Sequence, residues 1–153
     1  MTIVERGVYT LDTTNVRRTP SGIESGIATN ICRVAATDTV PATQGVRFGI
    51  RYRINGASRE RPVVLRRIVH FPAQMRPPAG PQPVSTFEAS AAADSDKVAY
   101  WGFGLDHPWE ILPGPWTFEF WAGSRKLAEV TFNLVEGAKL SEEKGEECFQ
   151  LSS

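Results

Sequence analysis

Strict period-two alternation dominates this chain, most clearly from Gly45 to Asn55. Val46, Phe48, Ile50, Tyr52 and Ile54 occupy one parity, while Arg47, Gly49, Arg51 and Arg53 occupy the other. Successive side chains of a strand point to opposite sides, so this segment buries one face and carries a guanidinium row on the other. Ile3–Leu11, Gly26–Ala36, Pro62–Phe71, Val84–Ala89, Lys97–Leu105, Trp116–Ala122 and Lys126–Val135 read as further strands. Between them lie turn and loop signals: Asp12–Gly22, Asp38–Gly45, the five-proline stretch Phe71–Pro83, Asp106–Pro115 and Gly123-Ser124-Arg125. Roughly seven to nine short strands at ~8–12-residue spacing, without a useful amphipathic helix, define an all-β antiparallel sandwich. The expected organisation is one domain over residues 1–135 and a flexible acidic tail over residues 136–153.

Charge is unevenly placed although the total is zero. Residues 1–76 hold 12 Arg and 5 acids, a balance of +7, and residues 77–153 hold 5 basic residues and 12 acids, a balance of −7. That split directs attention to a basic surface and an acidic counterpart. No segment approaches the ~20 apolar residues of a membrane helix. Met1–Thr10 lacks a basic region followed by an apolar stretch, so the cytoplasm is the default expectation, with the periplasm as the alternative if a leader has been removed.

Three segments carry a family likeness. They are Val40-Pro41-Ala42-Thr43-Gln44-Gly45 leading into the arginine strand, His107-Pro108-Trp109-Glu110, and Pro113-Gly114-Pro115-Trp116-Thr117-Phe118-Glu119-Phe120-Trp121, with Arg125-Lys126-Leu127-Ala128-Glu129 closing the hairpin. As a set they resemble the bacterial domain-of-unknown-function family 3859 over roughly residues 6–135. The resemblance implies a single β-rich domain and supplies no catalytic residues. The Pro-Gly-x-Trp hairpin is also similar to the last strands of immunoglobulin-like bacterial modules, so the fold expected is an immunoglobulin-like β-sandwich.

Catalytic constellations are weak. Asp106, His107 and Glu110 form a cluster that acid/base chemistry would need within about 3 Å of a shared point; turn capping explains the same residues more simply. His70 and His107 have no metal-ligand spacing, and no cofactor-binding loop is present. Cys32 follows the inward phase of its strand and reads as a small core residue, while Cys148 lies in the tail; pairing of the two is left open and requires the tail to dock. The expectation is therefore no enzyme, no metal and no cofactor.

Binding candidates are better defined. Arg47, Arg51 and Arg53 share a strand face, and Arg66 or its neighbour Arg67 can join it, since adjacent strand residues point to opposite faces. Trp109 and Trp121 are candidate exposed aromatics, because Trp121 is out of phase with Trp116, Phe118 and Phe120. The reading is a non-catalytic interaction module, meeting a protein with an acidic surface through the arginine face or the proline-rich loop. The alternative is a carbohydrate- or small-ligand-binding module using the tryptophans. Nucleic acid is not expected, given the neutral total and the absence of aromatics among the arginines. The oligomeric state is left open.

Overall fold

A computed structural model describes residues 1–140 and the backbone of Glu147–Cys148. The strands are β1 (Thr2–Arg18), β2 (Glu24–Ala35), β3 (Thr39–Pro41), β4 (Arg47–Arg53) and β5 (Val63–Met75), then β6 (Val84–Ala93), β7 (Ala99–Gly104), β8 (Gly114–Ala122), β9 (Arg125–Val135) and the two-residue β10 (Glu147–Cys148). One sheet has the order β10-β2-β1-β4-β7 and the other β3-β9-β8-β5-β6. Every ladder is antiparallel except that of β3 with β9. The expected β-sandwich is the fold observed. Among the described residues no helix is long and apolar enough to cross a membrane.

The inward parities meet in an aromatic core. Phe48 of β4 and Trp116 and Phe118 of β8 are fully buried, with ring centroids 5.4 and 5.8 Å from Phe48. Trp116 also meets Phe71 at 4.9 Å and Phe103 at 5.1 Å, and its indole N–H donates to the Leu112 carbonyl at 2.8 Å. These near-perpendicular or tilted rings follow the edge-to-face preference of aromatic quadrupoles.

Three expectations change. The first strand does not stop at Leu11. It pairs with β4 only over Thr2–Tyr9, then continues to Arg18 against β2 alone, forming a two-stranded arm that projects past the sheet. Bulges at Val8/Tyr9, Thr10/Asp12 and Thr14/Arg17 bend the arm. Its tip buries Ile23 completely and presses Gly22 (φ +91°) against the Pro77–Gly80 turn; a Cβ at Gly22 would lie 2.5 Å from the Gly80 nitrogen. Only glycine fits that approach. The Asp38–Gly45 loop contains β3, an edge strand that ends at Pro41, where the missing N–H costs no central ladder bond.

The third change concerns Cys32. It is disulfide-bonded and only partly buried, not a small core thiol. Ile31 takes the buried position beside it, because the bulges reset the strand's phase. β10 sets the backbone of Cys148 opposite Cys32 in the ladder. The tail's expected flexibility otherwise concerns residues outside those described.

Candidate functional site

The arginine row is where alternation puts it, on the outer face of β4, yet it is not a free basic stripe. Arg47 Nη2 donates to Asp106 Oδ1 at 2.8 Å. Arg51 and Arg33 flank Glu5 at 3.5 and 3.6 Å, and the Tyr9 hydroxyl donates to the same carboxylate at 3.1 Å. Burial, reinforced by Glu5, holds the Tyr9 phenol above its ordinary range. Arg53 is exposed at the strand's end.

Arg66 stands on the other sheet. The ladders carry no bulge at Arg66–Arg67, so Arg66 faces solvent and Arg67 faces inward. Register sets Arg66 opposite Trp121, with its guanidinium carbon 5.7 Å from the ring centroid and its Nε 3.0 Å from Glu88. Trp121 donates from Nε1 to Glu119 at 2.9 Å. Although burial would raise the Glu119 carboxyl, the hydrogen bond from Trp121, with the His70 ring 3.2 Å away, brings it below the usual value. Trp109 stacks on His107 at 5.1 Å and packs against the core. Neither tryptophan is an open platform: one side of each ring is occupied. The sequence-level candidates therefore fall into three separate places.

Asp106, His107 and Glu110 are brought together by the Pro108–Glu110 3-10 turn, but each has its own partner. Asp106 accepts from Arg47, the His107 ring meets Glu24 at the arm's tip, and Glu110 Oε1 accepts the His107 backbone N–H at 2.8 Å. This is turn capping plus a clasp between the arm and the turn. Glu110 is 3% exposed, and burial pushes its carboxyl up to about 7 from 4.5, against the lowering effect of the His107 N–H. The folded protein thus retains a proton that the unfolded chain releases between about pH 4.5 and 7. Stability from this group is full below that window and falls as pH rises through it. Glu110→Gln keeps an oxygen for the His107 N–H and removes the buried charge. The variant should gain on the order of 1 kcal/mol over wild type at pH 8, and less at pH 5. Urea unfolding at both values checks this; an equal difference at each contradicts it.

One concavity is announced by no sequence motif. β6 and β7 are the unpaired edges of opposite sheets, joined at one end through Asp94–Val98 and overhung at the other by the arm. A cleft of about 730 Å³ lies between them. Its wall includes Trp101, Phe103, Phe87 and Leu65, with Ile27 from the arm. The space exists because the inward positions of β6 after Phe87 are Ala89, Ala91 and Ala93, where a filled sandwich would carry larger side chains. Arg67 points into it, its guanidinium carbon 5.0 Å from the Trp101 ring centroid. Asp106, His107, Glu110 and Glu24 line its arm end.

Two facing sheets with an aromatic core and a cleft between open edges define an immunoglobulin-like β-sandwich. A crystal structure of an immunoglobulin-like protein from Pseudomonas aeruginosa has this fold: it superposes with a TM-score of 0.63 at 23% identity, covering 86% of this chain and 90% of that one. Residues 1–134 match the family described as Domain of unknown function (DUF3859), and the chain belongs to that family. No curated protein matches it.

Proposed function

We propose that the protein is a non-catalytic binding module that takes a small apolar ligand into the cleft between β6 and β7. The observation that carries this reading is the cleft itself: about 730 Å³, walled by Trp101, Phe103 and Phe87. That volume falls within the roughly 300–1,000 Å³ of small-molecule sites, which combine apolar walls with a few polar groups. The internal pairing of Arg47 with Asp106 and of Arg51 with Glu5 supports the cleft over the arginine face as the contact surface. Capping and ion pairing at Asp106, His107 and Glu110 support binding over acid/base chemistry. N-phenyl-1-naphthylamine, a neutral probe that brightens in apolar surroundings, should bind saturably near one molecule per chain and quench tryptophan emission through Trp101. Unsaturable, non-stoichiometric fluorescence would overturn the reading.

A further inference from the structure

Resting on the cleft-binding reading, we infer that the ligand is an amphipathic organic anion, an apolar body bearing one carboxylate, and that Arg67 holds the carboxylate. Leu65, Arg67 and Val69 share the inward parity of β5, and Leu65 and Val69 are fully buried. A guanidinium among such neighbours is costly to desolvate unless an anion answers it.

The other basic side chains on this cleft's arm end have their partners: Arg47 has Asp106, and the His107 ring has Glu24. Arg67 has no carboxylate within ion-pair distance among the described residues. Its Nε donates to the Ala89 carbonyl at a long 3.4 Å, and its terminal nitrogens find no protein acceptor among the described residues. Stacking on Trp101 holds the guanidinium plane beside the cleft's largest aromatic wall. The fork is thus held in place and open toward the 730 Å³ space, the arrangement that suits bidentate capture of a carboxylate. The acids lining the arm end are engaged: Asp106 by Arg47, Glu24 by His107, and Glu110 by the His107 N–H. Asp94 is exposed at the opposite end, beyond the last residue of β6. The charge near the middle of the cleft is therefore positive, with apolar surface around it.

The test uses two matched pairs that differ only in charge: decanoate against decanol, and 2-naphthoate against 2-naphthol, each displacing N-phenyl-1-naphthylamine from the full chain. In at least one pair the anion should displace the probe at about tenfold lower concentration, the order expected of a charge-assisted hydrogen bond. The pair that shows it identifies an aliphatic or an aromatic body. Arg67→Gln should bring the anion and its neutral partner to equal concentrations, each read relative to that variant's own affinity for the probe, and Arg67→Lys should keep most of the preference. No anion preference in either pair, or a preference unchanged in Arg67→Gln, overturns the role of Arg67 without touching the cleft reading. Failure of the probe to bind overturns both. If Arg67→Gln does not fold, loss of the preference on raising ionic strength is the second measurement, and a preference insensitive to salt counts against the inference.

Discussion

Trp116→Ala is expected to cost about 3–5 kcal/mol, the range for removing a fully buried large aromatic. The indole sits between both sheets, against Phe48, Phe71 and Phe103, and none of its surface is exposed. Two terms add. The removed ring loses its transfer free energy, and the rings around it cannot collapse into the space because strand ladders hold them on both sides. The Leu112 carbonyl also loses the N–H that anchors the Asp106–Pro113 segment at 2.8 Å. For a chain of this length the midpoint should fall by roughly 10 °C. Trp121→Ala provides the contrast: its ring lies on the solvent face under Arg66, and its removal should cost about 1 kcal/mol or less. Guanidinium unfolding of both variants, followed by far-ultraviolet circular dichroism, makes the comparison. Equal losses would mean that the aromatic core is not centred on Trp116.

The second large effect concerns the cleft. Ala91 faces inward opposite Leu65 in the β5–β6 ladder, so an indole at position 91 occupies space that the ligand needs. Ala91→Trp should weaken N-phenyl-1-naphthylamine binding at least about tenfold, because about 1.4 kcal/mol of lost apolar contact is enough to do so. Ser90→Trp puts the same side chain one residue away on the exposed face and should leave binding unchanged. β6 is an edge strand, so the larger residue meets open space on one side and the fold should survive. If a folded Ala91→Trp variant binds the probe as wild type does, the probe is elsewhere and the cleft is not the site.

Much of the architecture was legible because period two is a local signal. β4, β8 and β9 lie within two residues of the expected segments, since their alternation is uninterrupted and Gly123 provides the left-handed turn between the last two. The arm was not legible: Asp12–Gly22 has loop composition, and its strand state depends on β2 lying beside it. The disulfide at Cys32 was legible only as an open pairing that needs the tail to dock, for local phase carries no information about a distant sulfur.

The candidate site divides in the same way. That Arg66 and Arg67 must face opposite sides follows from their adjacency alone, and an arginine between Leu65 and Val69 was the available sign of an inward-facing cation. The run Ala89 to Ala93, small residues in a strand pattern, was the available sign of unfilled space. Neither sign shows that β6 and β7 end up as facing free edges, because sheet order is set by long-range pairing. The same holds for charge. The sequence by itself determined that +7 lies in residues 1–76 and −7 in residues 77–153. Only the tertiary structure decided that Arg47 meets Asp106 and Arg66 meets Glu88 across that division, while Arg67 is left facing a cleft. Coulombic pairing acts over a few ångströms of space, and chain order does not specify which distant residues come that close.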